Sequence, residues 1–193
     1  MIGQGILTVL SGPSGVGKGT VAKALQEKTR NLVCSISATT RLPRKGEVNG
    51  SSYYFLSTDE FHRKVDRQEF LEWAQIYGSF YGTLRLPVER ALSGGKDVLL
   101  EIDVQGGIQV KQKFPQAVLI FLLPPSQNEL ESRLTKRASE SEADVKKRLS
   151  WAKEEFEYLM LYDYAVVNDW VDEVVSRIQS IMVAEKCRTW RLK

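Results

Sequence analysis

Residues 12–20 read GPSGVGKGT and follow an apolar run, ILTVL, at residues 6–10. A strand, a glycine-rich loop and a helix in this order are typical of the phosphate-binding P-loop. Gly12, Gly15 and Gly17 lack a Cβ, so the chain can wrap tightly and direct successive backbone N–H groups at one anion. The positive end of the helix dipole points at the same place. The stretch therefore predicts an α/β protein that binds a nucleoside triphosphate.

The residues that end this loop have distinct predicted roles. Lys18 is placed to reach the β- and γ-phosphates as a point charge. The usual pattern has Ser or Thr directly after the lysine to bind Mg²⁺, but here Gly19 occupies that position and the hydroxyl follows at Thr20. Thr20 is therefore the candidate metal ligand. The predicted triphosphate-binding positions are Gly12, Pro13, Ser14, Gly15, Val16, Gly17, Lys18, Gly19 and Thr20.

Composition excludes several function classes. The 193 residues are 42% hydrophobic and 26% charged, which suits a single globular domain with an adequate core. No apolar run is long enough to span a membrane and no signal segment is evident, so we expect a cytoplasmic protein without membrane contact. The single histidine, His62, excludes histidine-dependent triads and paired-histidine zinc motifs. Cys34 and Cys187 are far apart and are expected to be reduced thiols.

Basic residues are clustered although the net charge is only +3. A basic face for nucleic acid is one explanation, but it would require interleaved aromatic residues or a known binding motif, and neither is clear. Phosphate groups of small nucleotides are the more economical target, so we expect no nucleic acid partner. The clustered residues are Arg41, Arg44, Lys45, Arg133, Lys136, Arg137, Lys146, Lys147 and Arg148.

Strand and helix signals alternate along most of the chain. The apolar segments LTVL, DVLLEI, VLIFLL and YAVV predict a parallel sheet covered on both faces by helices. Residues 37 to about 83 interrupt this alternation and predict a small, mostly antiparallel insert that begins with a polar loop over 37–52. Residues 126–150 predict a charged helical excursion. Within it, Ser126 with Glu129 and Ser139 with Glu142 form capping boxes, the second opening a helix to about residue 162.

Four motifs occur in the order found in guanylate kinases: GPSGVGKGT, SATTRLPRKGEVNGSSYYF at 37–55, EFLEWAQIYGSFYGT at 69–83 and LEIDVQG at 100–106. The chain resembles this family from about Leu7 through VVND at 166–169. The resemblance implies MgATP and GMP as substrates and ADP and GDP as products. It also implies a core over about 1–36, 84–125 and 151–193, a GMP-binding subdomain over 37–83 and a lid over 126–150.

The resemblance assigns GMP contacts to residues that would otherwise have plainer explanations. Arg41 and Arg44 match arginines that bind the GMP phosphate, where guanidinium forks can bond bidentately; alone, the pair also fits a solvated loop. Tyr53 and Tyr81 match tyrosines that hold the same phosphate, although core packing would explain them too. Glu72 matches the guanine-reading glutamate, since a carboxylate accepts from both N1–H and the 2-amino group. Ser37 and Thr83 match hydroxyl positions at the far edge of the base.

Two carboxylates alternate with apolar residues at the end of a predicted strand. Glu101 and Asp103 lie where open α/β sheets bind ligands, yet solvated carboxylates or partners for arginines fit the pattern equally well. The resemblance implies that Asp103 lies near GMP and the metal, and Glu101 on the guanosine side.

The predicted lid supplies the remaining cations. Arg133, Arg137 and Arg148 match arginines that close over the triphosphate, although any one of them also fits a solvated helix. Ala138 stands where the family often has glycine, so the geometry of the lid can differ. Asn168 matches a position near adenine. The implied catalytic group is Lys18, Arg41, Arg133, Arg137 and Arg148.

Two other function classes stay open at this point. Guanylate-kinase-like domains also exist as non-catalytic modules that bind phosphorylated peptides, but these typically have degraded phosphate loops. A kinase for another nucleoside monophosphate is the second alternative, because the ending GKGT recurs in adenylate kinases. Glu72 and the segment TTRLPR argue against it. Monomer and homodimer are both compatible with the sequence.

Overall fold

The computed structural model describes residues 5–76, 78–135 and 150–191. Numbered in chain order, the strands are β1 (Leu7–Ser11), β2 (Leu32–Cys34), β3 (Ser37–Thr39), β4 (Tyr54–Phe55), β5 (Phe70–Ile76), β6 (Ser79–Leu84), β7 (Asp97–Glu101), β8 (Val118–Leu123) and β9 (Tyr164–Val167). The helices are α1 (Lys18–Lys28), α2 (Thr58–Asp66), α3 (Arg85–Ser93), α4 (Val104–Lys113), α5 (Gln127–Thr135), α6, of which residues 150–156 are described, and α7 (Val171–Lys186).

The larger sheet has the order β2-β7-β1-β8-β9, and every neighbouring pair runs parallel. Successive residues of a strand point to opposite faces, so both faces can be covered. On one face Leu10 packs with Leu25 of α1 and Ile178 of α7. On the other face Val9 packs with Leu92 of α3. The predicted α/β core is confirmed, and its three layers align the carboxyl ends of the strands at one edge, where such sheets bind ligands.

The smaller sheet has the order β4-β3-β6-β5 and is mixed: β3 pairs parallel with β4 and antiparallel with β6, which also pairs antiparallel with β5. It has an aromatic core of its own. Phe61 of α2 stacks on Phe70 and Phe80, with ring centroids 4.4 and 5.5 Å away. Because β6 leads directly into α3 and β5 is hydrogen-bonded to α4 through Trp73 and Gln109, this sheet stands next to the edge where ligands bind.

Several local predictions were wrong at their boundaries. The loop predicted over 37–52 begins as strand β3, which pairing with β6 stabilises. The helix predicted to reach about residue 162 ends at residue 156, and a 3₁₀ turn, Leu159–Leu161, follows. At the start of α5, Glu129 N donates to Ser126 Oγ at 3.1 Å, but the Glu129 carboxylate bonds to Arg133. The second capping box lies outside the described residues.

Both cysteines are free thiols, as predicted. In the described ranges of the chain, no helix is both long and apolar enough to cross a membrane.

Candidate active site

The glycine-rich loop leaves β1 with a backbone that only glycine adopts readily. Gly12, Gly15 and Gly17 have φ angles of 143°, 84° and 99°. A Cβ at Gly12 would also collide with the carbonyl of Leu122 on the neighbouring strand β8. The loop therefore lies pressed against the end of the sheet and delivers the chain into α1 at Lys18.

Lys18 folds back over this loop. Its Nζ donates to the carbonyl oxygens of Gly12 at 2.6 Å and Pro13 at 3.3 Å. The ammonium therefore lies at the concave side of the loop, where phosphate oxygens of a bound nucleotide would be its partners.

Two side chains from distant parts of the chain hold the loop at Val16. The buried Asn168, just after β9, donates from Nδ2 to the Val16 carbonyl at 2.7 Å. Arg133 of α5 donates from Nη1 to the same oxygen at 3.2 Å and from Nε to Glu129 at 2.9 Å. Asn168 thus acts on the loop backbone, and the contact ties α5 to the candidate triphosphate site.

A third loop contact was not predicted. Glu155 of α6 accepts a hydrogen bond from Ser14 N at 3.1 Å, through Oε2. Burial raises the pKa of this carboxyl, while Lys18 and the Ser14 amide lower it. The sequence gives no sign of this role, because Glu155 lies in a charged helical stretch that is typical of a solvent-exposed surface.

Glu72 is a buried carboxylate on β5. It is 3% exposed, and its Oε1 accepts a hydrogen bond from Thr83 Oγ1 at 2.6 Å. Strand pairing brings Thr83 opposite both Glu72 and Ser37, so the three predicted base-contacting residues form one row. The pKa of Glu72 is raised from 4.5 to about 7: burial is the largest cause and Asp103 acts in the same direction, while Thr83 and Lys113 oppose them.

The start of α4 packs directly on this carboxylate. A Cβ at Gly106 would lie 2.8 Å from Glu72 Oε2, so any other residue there would displace the buried carboxylate. Asp103 caps the helix, accepting from Gly106 N at 2.9 Å, and its carbonyl accepts from Ser11 Oγ at 3.2 Å. Helix α4 therefore links the Glu72 carboxylate to the strand that leads into the P-loop.

The predicted phosphate-binding arginine Arg41 has a partner that sequence reasoning missed. The Glu47 carboxylate accepts hydrogen bonds from both terminal nitrogens of Arg41, at 2.7 and 2.8 Å, and from Arg44 N at 2.6 Å. The pair raises the pKa of Arg41 and lowers that of Glu47 to about 2. Arg41 lies 5.1 Å from the ring centroid of Tyr53, and Tyr53 contacts Tyr81 edge-on at 6.3 Å. The structure thus brings together four residues predicted to bind the GMP phosphate.

Glu101 lies on the P-loop side of the site. A Cβ at Gly19 would be 3.3 Å from Glu101 Oε1. The pKa of Glu101 is raised, because desolvation raises it by more than the neighbouring Lys18 lowers it. The neighbouring Thr20 is exposed in the first turn of α1. Within the part of the chain that the structure describes, no three His, Cys, Asp or Glu side chains form a metal-binding group. Arg137 and Arg148 lie outside the described residues.

Comparison with known proteins gives consistent matches. The guanylate kinase family model matches residues 4–185. A guanylate kinase of Caldanaerobacter subterraneus subsp. tengcongensis is 53% identical over 190 residues, which are 98% of this chain and 92% of that protein. A guanylate kinase of Desulfitobacterium hafniense is 50% identical over 188 residues, 97% of this chain and 94% of that protein. The crystal structure of guanylate kinase from Anaplasma phagocytophilum matches with a TM-score of 0.80 and 37% identity, covering 98% of this chain and 90% of that chain.

Proposed function

The chain belongs to the guanylate kinase family, and we propose which role each of its site residues has in the transfer of a phosphoryl group from ATP to GMP. The enzyme phosphorylates GMP and so forms GDP and ADP. One observation carries the proposed division: the buried carboxylate of Glu72, held by Thr83, abuts the helix that starts at the P-loop edge of the sheet. Guanine would bind at one end of this arrangement and the triphosphate at the other.

Glu72 selects guanine in this proposal. Its carboxylate accepts from N1–H and the 2-amino group of the base, and adenine offers no such pair of donors. Donors of this kind favour the ionised carboxylate, so base binding offsets the burial that raises its pKa. Ser37 and Thr83 bind the far edge of the base.

Arg41, Arg44, Tyr53 and Tyr81 bind the GMP phosphate. The phosphate would share or replace Glu47 as the partner of the Arg41 guanidinium, because both are anions that fit its planar fork.

Lys18 and the loop amides bind the phosphates of ATP, with Asn168 and Arg133 fixing the loop backbone from behind. The Thr20 hydroxyl, exposed in the first turn of α1, fits Mg²⁺, which prefers hard oxygen ligands. We assign Asp103 to a position near GMP and the metal, and Glu101 to the guanosine side, as the family resemblance implies. Mg²⁺, when bound, neutralises charge on the β- and γ-phosphates.

Transfer itself requires positioning and cations more than a base. A phosphate oxygen of GMP attacks the γ-phosphorus, the bond to the bridging oxygen of ADP breaks, and no proton must leave the nucleophile first. Arg133, with Arg137 and Arg148, would meet the charge on the transferred group. We assign residues 37–83 as the GMP-binding subdomain and 126–150 as the lid, whose closure together excludes water.

The proposal is tested by ADP production from MgATP with GMP, AMP, UMP or CMP offered separately. Wild-type enzyme should turn over GMP alone. Glu72→Gln should lose GMP turnover, whereas Glu69→Gln, which removes a neighbouring carboxylate bonded to Lys64, should keep it. Equal GMP turnover in both variants would remove Glu72 from the base site. Binding of GMP without turnover would favour a phosphopeptide-binding module.

Oligomeric state and location are separate proposals. Monomer and homodimer both stay open, and sedimentation analysis distinguishes them. The cytoplasmic location expected from the sequence stays a prediction, which fractionation of cells that express the chain would check.

A further inference from the structure

A pocket lies beside β5, the strand that carries Glu72. Its volume is about 360 Å³. It is positioned where α2 ends, where β5 begins, where α3 starts and where α4 ends. The lining residues are Val65, Gln68, Phe70, Trp73, Arg85 and Lys113.

Two cations converge on this pocket. Lys113, in the last turn of α4, donates from Nζ to the Phe70 carbonyl at 3.3 Å. Arg85, the first residue of α3, has a buried Nε–H for which the described residues supply no acceptor. Burial and the neighbouring Arg85 both lower the pKa of Lys113, and the Glu72 carboxylate raises it by less. Among the described residues, no carboxylate forms an ion pair with either side chain.

Like charges repel in a partly desolvated space, and the Glu72 carboxylate offsets this repulsion at Lys113 only in part. An anion bound to Arg85 and Lys113 would offset it further. A guanidinium fork beside an ammonium is the donor set that binds a phosphate group with two negative charges. The aromatic and aliphatic walls formed by Phe70, Trp73 and Val65 would exclude water from the contact.

We propose that this pocket binds a phosphate-class anion through Arg85 and Lys113, the two cations among its lining residues.

Binding is tested with inorganic pyrophosphate as the probe and the indole N–H signal of Trp73 as the reporter in two-dimensional NMR. We expect a saturable shift of this signal in the wild type and its loss in the double variant Arg85→Gln/Lys113→Gln. The matched control is Arg90→Gln/Lys111→Gln, which removes one cation from each of the same two helices and should keep the shift. A Trp73 signal that does not move, or moves equally in both double variants, overturns the site.

A nucleotide carries the same phosphate chemistry, so GTP is titrated in parallel with the same three proteins. If both GTP and pyrophosphate shift the Trp73 signal and Arg85→Gln/Lys113→Gln abolishes both shifts, both compounds are ligands of the pocket. If only pyrophosphate shifts the signal, the ligand is the inorganic anion. The absence of such a shift with both probes contradicts the proposal.

Discussion

Replacing Glu72 by glutamine separates the free-energy cost of burying this carboxylate from its use in base recognition. Glu72 is 3% exposed, and burial raises its pKa from 4.5 to about 7. The folded protein therefore binds this proton more tightly than the unfolded chain does. The free energy of unfolding falls as the pH rises between these two pKa values, by about 3 kcal/mol in total, since one pKa unit corresponds to about 1.4 kcal/mol.

The variant Glu72→Gln does not titrate at this position, so it escapes that loss. Below both pKa values the wild-type side chain is neutral too, and the two proteins should differ little in stability. Above pH 7 we expect the nucleotide-free variant to be more stable by up to about 3 kcal/mol, which corresponds to about 6–12 °C in Tm for a domain of this size.

The same variant should lose GMP turnover by about a hundredfold or more, because a charge-assisted pair of hydrogen bonds becomes a mismatched one.

The assay is thermal unfolding followed by circular dichroism without nucleotide, at about pH 4, below both pKa values, and at about pH 8, above both. Glu69→Gln is the control, since it removes the same charge from an adjacent position where Lys64 lowers the pKa. It should gain nothing at the higher pH. A Tm gain of Glu72→Gln that is equal at both pH values, or a Tm loss at pH 8, would refute the burial argument.

Three further substitutions test other contacts of the site. Gly106→Ala would place a methyl group 2.8 Å from Glu72 Oε2, so we expect the KM for GMP to rise about tenfold or more while the KM for ATP stays within about twofold, as measured by steady-state kinetics. Arg41→Lys keeps the charge but loses the planar fork, and its KM for GMP should rise about tenfold; an unchanged value would remove Arg41 from the phosphate site. Glu155→Gln removes a negative charge next to the loop amides, so a non-hydrolysable ATP analogue should bind about threefold or more tightly in calorimetry. Weaker binding would show instead that Glu155 supports the loop.

The fold followed from local patterns where those patterns were strong. The apolar strands and the glycine-rich loop were predictable because hydrophobic periodicity and the conformational freedom of Gly12 and Gly17 act over a few residues. The strand at Ser37–Thr39 was missed because its sequence is polar, and its stability comes from pairing with β6, which lies far along the chain.

The same division holds for the candidate site. By itself, the sequence determined that a P-loop with Lys18 exists and that Glu72 lies within a motif of the guanylate kinase family. Only the tertiary structure decided that Glu72 is buried against Gly106, that Glu155 reaches a loop amide 141 residues away, and that Arg85 and Lys113 line one pocket. The physical reason is that burial and the proximity of charges depend on contacts between distant segments, and these contacts fix the pKa and the partners of a side chain whose identity the sequence already gives.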